Sequence, residues 1–187
     1  YEGMERFFPA DRIVMTGNPV REDMVSIAGK RPEAAAFFGL QSDVPTLLVV
    51  GGSQGALSIN RSILDGLNRI ADAGVQLVWQ CGKSFYPQAK EAVDKLGNSR
   101  IRVFDFIKRM DFAYAIADTI VTRAGASTVS ELCIVAKPAI MVPLPTAAED
   151  HQTRNCEALT QRNAAVLVKD SDAKTILIES ALTLLKD

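Results

Sequence analysis

The chain has 187 residues, 48% of them hydrophobic, enough for one sizeable core and too few for two. Its 21 Lys and Arg stand against 22 Asp and Glu, a balance that offers no polyanion-binding surface and excludes nucleic acid as a partner. One histidine rules out a His-rich metal centre, and Cys81, Cys133 and Cys156 are spaced for neither a zinc site nor an even disulfide framework, so a reducing, cytoplasmic setting is expected. The start, Tyr1-Glu2-Gly3-Met4-Glu5-Arg6, has neither an initiator Met nor a basic stretch leading into an apolar one. No secretory leader is expected, and the chain reads as cut from something longer. Residues 1–11 are taken as a connector from a preceding domain and 12–187 as one domain.

Ile13-Val14-Met15 predicts a short strand, residues 33–38 a short helix and 39–44 a loop. Thr46-Leu47-Leu48-Val49-Val50 has strand length, lies between Pro45 and Gly51, and does not alternate, as a strand buried on both faces would not. After the glycine-rich residues 51–55, the spacing of Ile59, Ile63, Leu67 and Ile70 predicts one helix with a single apolar face, closed by Gly74. The same grammar recurs. Strands are predicted at 75–79, 101–104, 119–122, 139–142 and 164–168, and helices at 87–96, 109–117, 127–135, 150–162 and 173–185. Regular alternation implies an α/β fold, a parallel sheet with helices on both faces and right-handed crossovers. The most hydrophobic stretch, 134–144, is broken by Lys137, Pro138 and Pro143 and is too short to span a bilayer. Ligands of such sheets sit beyond the carboxyl ends of the strands, and the unusual residues lie in those loops.

Gly51-Gly52-Ser53-Gln54-Gly55 lets backbone approach an anion closely, with a helix N-terminus behind it and the Ser53 hydroxyl as a donor. A tight turn without a ligand is the alternative. Neither G-x-G-x-x-G nor a P-loop lysine is present, and Gln80-Cys81 stands where a dehydrogenase has its ribose-binding acid. A second helix mouth opens at Arg123-Ala124-Gly125. Glu131, one turn in, suits a ribose diol, yet Thr128-x-x-Glu131 also fits a capping box. In the loop after 139–142, His151 and Gln152 can meet sugar hydroxyls, or Asp150 is a plain helix cap and His151 a surface residue. Arg21 either pairs with a diphosphate or is a solvated surface residue. Asp170-Ser171-Asp172 is read as the cap of the last helix and not as a metal pair.

Together, Gly17-Asn18-Pro19-Val20-Arg21, Gly51-Gly52-Ser53-Gln54-Gly55, Phe106-Ile107, Ser127-Thr128-Val129-Ser130-Glu131 and His151-Gln152-Thr153-Arg154-Asn155 closely resemble the MurG family. Its members are bacterial transferases that add N-acetylglucosamine to lipid I to form lipid II in peptidoglycan synthesis. The five segments occur in the family's order and cover essentially the whole chain. The resemblance is to the C-terminal, donor-binding half of the GT-B fold, in which two Rossmann-like halves face each other.

The resemblance implies UDP-N-acetylglucosamine as substrate, with no metal and no tightly bound cofactor. It implies that Ser53, in the turn with Gly52, Gln54 and Gly55, contacts the diphosphate, assisted by Arg21. Ile107 would present its backbone to uracil. Ala126, Ser127, Thr128, Val129, Ser130 and Glu131 would line the nucleotide, with Glu131 on the ribose. Gln152 would hold the sugar with His151 beside it, although the family often has Gln where His151 stands. The family's general base and second glycine-rich loop belong to the N-terminal half, so no catalytic residue is expected here. Weak donor binding without turnover follows, with the lipid-linked muramoyl-pentapeptide acceptor and docking on the cytoplasmic face of the inner membrane left to the other half. The rivals are a UDP-N-acetylglucosamine 2-epimerase, a related lipid glycosyltransferase, and a non-catalytic donor-binding subunit.

Overall fold

Leu47, Leu48 and Val49 are wholly buried, because alternate side chains of β1 (Thr46–Val50) enter two separate apolar layers. In the computed structural model, residues 5, 7–14, 17–20, 22, 26–52 and 55–186 are described. Around β1 lie β2 (Gln76–Gln80), β3 (Ile101–Phe104), β4 (Thr119–Thr122), β5 (Ala139–Met141) and β6 (Val166–Leu167), all parallel in the order β3-β2-β1-β4-β5-β6. This is the Rossmann strand order, and the chain reverses direction across the sheet between β1 and β4.

The helices are α1 (Arg31–Phe38), α2 (Leu57–Asp65), α3 (Leu67–Asp72), α4 (Tyr86–Leu96), α5 (Met110–Ile116), α6 (Ala126–Val135), α7 (His151–Thr160) and α8 (Ala173–Leu184). Leu47, Val49, Leu77 and Trp79 pack with residues of α2, α3, α4 and α8, whereas Leu48, Val78, Ile120 and Met141 pack with α1, α5, α6 and α7. Hence helices cover both faces, as the sequence indicates. Two partly buried polar contacts tie α1 in. Asp118 accepts both Arg31 guanidinium nitrogens, at 2.9 and 2.8 Å, and the Thr46 N–H. Asp111 is held by Arg109 and Lys30, and the Arg109 hydrogen bond, with help from Lys30, keeps its carboxyl well below the usual carboxylate range. No helix among the described residues is long and apolar enough to cross a membrane.

Two elements differ from the sequence reading. The single helix expected after residue 55 divides at Gly66. A Cβ there would lie 2.6 Å from Ile178 Cγ1, so the glycine serves the close approach of α8, an encounter invisible to local periodicity. The strand expected at 13–15 does not form: Ile13 and Val14 follow a short 3-10 turn (Ala10–Arg12) outside the sheet, and Val14 is 80% exposed. Met15 lies outside the described residues. Edge strands β3 and β6 are only partly buried; the apolar character of 164–168 reflects one covered side and not two.

Candidate functional site

The loops after β1, β4 and β5, neighbours in the sheet, enclose a cleft of about 630 Å³ at the strands' carboxyl ends. Gly51, Gly52 and Gly55 form one wall with Ser58 and Arg61 of α2; Arg123, Gly125 and Thr128 form the second; Leu144, Pro145, Thr146 and Gln152 form the third. A larger groove of about 780 Å³ lies at the opposite ends of β5 and β6, lined mainly by apolar residues such as Leu132, Pro138, Leu159 and Leu184. Burial there pushes the Lys137 ammonium below its ordinary pKa. Among the described residues, the smaller cleft stands at the chain reversal and joins two helix N-termini to guanidinium groups, the features that suit an anion, and it is the candidate site.

Glycine serves two different ends in the first wall. A Cβ on Gly51 would lie 2.7 Å from the Ala56 nitrogen, and one on Gly55 would lie 2.5 Å from the Cys81 carbonyl oxygen. Both glycines are demanded by packing within the protein. Gly52, at φ +78°, meets nothing within 4 Å and is the glycine on the open side. The turn is held from beneath. Asn60 donates to the Cys81 carbonyl at 2.7 Å and accepts from the Trp79 indole at 3.1 Å. Gln80 donates to the Gly52 carbonyl at 3.3 Å and accepts the Ile107 N–H at 2.8 Å. Gln80 therefore joins the glycine turn to the buried Ile107 and occupies its amide. In the sequence, Gln80 stands out only as the missing acid. The neighbouring Cys81 thiol is wholly buried, and burial raises its pKa to about 11, which disfavours the thiolate. Among the described residues no side chain caps the first turn of α2 at Ala56, and its leading amides stand at the cleft with the positive end of the helix dipole. Ser53 and Gln54 lie outside the described residues.

At the second wall, α6 begins at Ala126 after Gly125, with no side-chain cap. The capping box does not form. Glu131 Oε2 instead accepts a hydrogen bond of 2.8 Å from the Tyr114 hydroxyl. Asn18 donates to the Ala126 carbonyl at 3.2 Å and to Ser130 Oγ at 2.9 Å, bringing the segment at 17–20 against this helix mouth; Arg21 lies outside the described residues. Ser130 Oγ also donates to the Ala126 carbonyl, Val129 packs on the apolar core, and Ser127 is exposed.

The third wall is stiffened differently. Consecutive Glu149 and Asp150 adopt left-handed backbone, φ 51° and 54°, a conformation that costs about 1 kcal/mol or more for each such residue. Asp150 makes no side-chain cap to α7 and accepts from the Thr153 hydroxyl at 2.6 Å. Gln152 Oε1 accepts the Leu144 N–H at 3.0 Å, which holds the side chain at the cleft wall. His151 is exposed and does not line the cleft. Asn155 donates to the Ala124 carbonyl and clamps α7 to the second mouth.

Arg123 connects all three walls. Its guanidinium donates to the Val142 and Pro143 carbonyls at 3.1 and 3.3 Å, to Ser58 Oγ at 3.1 Å, and to Asp170. Asp170 also accepts from the Ser58 hydroxyl, and the last helix has no side-chain cap. The reading of Asp170-Ser171-Asp172 as a cap is thereby corrected: Asp170 is the counter-ion of Arg123. Of the expected residues, Gly52, Gly55, Thr128 and Gln152 line the cleft. Ile107, Ala126, Ser127, Val129, Ser130, Glu131 and His151 do not line it. Ser58, Arg61, Arg123 and Asp170 line the cleft as well; the sequence marks Arg123 only as the start of a helix mouth and Asp170 only as a cap, and it marks Ser58 and Arg61 not at all. The local signal for Arg123 is a charged residue directly after a fully buried strand.

Residues 46–187 match the family model described as glycosyltransferase family 28 C-terminal domain. A protein of Parabacteroides distasonis named UDP-N-acetylglucosamine–N-acetylmuramyl-(pentapeptide) pyrophosphoryl-undecaprenol N-acetylglucosamine transferase is 49% identical over 187 residues, all of this chain and 51% of its own length. Its namesake from Cytophaga hutchinsonii is 51% identical over 187 residues, all of this chain and 50% of its own. The chain thus spans about half the length of the curated relatives it matches. Among solved structures, Acinetobacter baumannii MurG superposes with a TM-score of 0.68 at 29% identity, over 95% of this chain and 51% of that one.

Proposed function

Because the chain belongs to the glycosyltransferase family 28 C-terminal domains, we propose that it binds UDP-N-acetylglucosamine as the donor half of an inverting transferase that converts lipid I to lipid II. One observation carries the reading. Two helix mouths without a side-chain cap among the described residues and the Arg61 and Arg123 guanidinium groups line a single cleft, an arrangement that suits a nucleoside diphosphate-sugar. The diphosphate lies against Gly52 and the start of α2, with Ser53 and Arg21 as further donors. The uracil meets the Ile107 carbonyl, Glu131 takes the ribose hydroxyls, and the Gln152 amide holds the sugar.

In the reaction, the 4-hydroxyl oxygen of the acceptor's muramoyl group attacks the anomeric carbon. The bond from that carbon to the β-phosphate oxygen breaks, UDP departs, and the hydroxyl proton passes to a base outside this chain. The α2 mouth and the guanidinium groups stabilise charge growing on the leaving diphosphate. Binding the lipid-linked acceptor, at the cytoplasmic membrane face, belongs to the other half of the protein, and the donor site itself calls for no metal or resident cofactor. Calorimetric titration separates this reading from its rivals: UDP-N-acetylglucosamine should bind in preference to UDP-glucose, ADP and NAD. Preference for ADP or NAD would overturn the assignment.

A further inference from the structure

Helix α5 is buried from Asp111 to Ile116, and Tyr114 is 2% exposed. Its ring belongs to the apolar layer beneath β1, β2 and β4, while its hydroxyl donates to Glu131 Oε2 at 2.8 Å. Filling that volume requires the ring; holding a carboxylate requires the oxygen. Glu131 Oε1 accepts no hydrogen bond among the described residues, and Oε2 has a second lone pair in the carboxylate plane. We propose that Tyr114 is a positioning residue: its hydroxyl orients the Glu131 carboxylate so that both oxygens meet the 2′- and 3′-hydroxyls of a ribonucleotide, making the site selective for ribose over deoxyribose.

The inference rests on the donor-site reading above and deepens it. A glutamate on a helix has three rotatable side-chain bonds, and a vicinal diol is recognised well only if the carboxylate plane is set in advance. The phenol supplies a charge-assisted bond to the half-buried anion from a rigid helix, so the carboxylate is ordered before the ligand arrives. A role confined to joining α5 and α6 would alter stability and would leave the choice between two sugars alone.

The test titrates the full chain with UDP and with 2′-deoxy-UDP, for the unsubstituted protein, Tyr114→Phe and Glu131→Gln. Tyr114→Phe should reduce the preference for UDP about fivefold while changing the Kd for 2′-deoxy-UDP less than about twofold. Glu131→Gln should erase most of the preference. An unchanged preference in Tyr114→Phe, with Glu131→Gln still deficient, overturns the role of Tyr114 alone. An unchanged preference in Glu131→Gln removes the ribose reading and this inference with it, and no UDP binding by the unsubstituted chain removes the donor site altogether. If Tyr114→Phe does not fold, 3,5-difluorotyrosine at position 114 keeps the ring and strengthens the donor. A changed preference then supports the proposal and an unchanged one refutes it.

Discussion

The two helix mouths that face each other across the cleft are built on opposite principles. At the α2 mouth the site is backbone: Gly51 and Gly55 are hemmed in by main-chain atoms 2.7 and 2.5 Å from where a Cβ would stand, and Asn60 and Gln80 brace the turn from below. At the α6 mouth the backbone is roomy. A Cβ on Gly125 would meet only Thr128 Oγ1, at 3.9 Å, and the specific features are side chains, Arg123, Thr128 and Glu131. The difference teaches that a glycine in a ligand loop need not be there for the ligand. The first mouth is intolerant of change at Gly51 and Gly55 whether or not anything binds, while the second has room at Gly125, and its selectivity rests on side chains.

The sharpest way to break this contrast is to place the same methyl group at both mouths. Gly55→Ala forces a side chain into left-handed backbone and against the Cys81 carbonyl, and should destabilise the chain by about 3 kcal/mol. Gly125→Ala, in extended backbone, should cost about 0.5 kcal/mol. Urea denaturation of both variants measures the gap, and equal losses would erase the distinction. Between these extremes falls Asn60→Ala, which orphans the Cys81 carbonyl and the Trp79 indole N–H; about 2 kcal/mol should be lost. Thermal melting with and without UDP would show whether affinity falls only as far as the turn itself loosens.

The fold was legible for a physical reason. A strand covered on both faces is mostly apolar, and β1 and β4 announce themselves as short runs bounded by Gly, Pro or polar residues, while β2 is legible despite the buried Gln76, whose amide is satisfied by Gln41, Val44 and Thr46. Helix ends were legible where a left-handed residue is obligatory, as at Gly39 and Gly97. The break at Gly66 was not, because its cause, Ile178, is more than a hundred residues away. The candidate site divides along the same line. Glycine turns and helix mouths are local patterns, and Gly52, Gly55, Thr128 and Gln152 were found through them. Arg123 with Asp170, Asn18 with Ser130 and Tyr114 with Glu131 are pairings between separate loops or helices. Asp170 was misread because an acidic residue ahead of a helix has a ready local explanation, and only the guanidinium of Arg123 displaces it.

The most direct trial is a crystal of the chain soaked in UDP. The diphosphate should lie between Gly52, the first turn of α2 and the Arg123 guanidinium, with the ribose hydroxyls on Glu131. A nucleotide seated instead in the apolar groove beside Lys137, or a diphosphate turned away from both helix mouths, would contradict the reading of this cleft as one site built from converging strand ends.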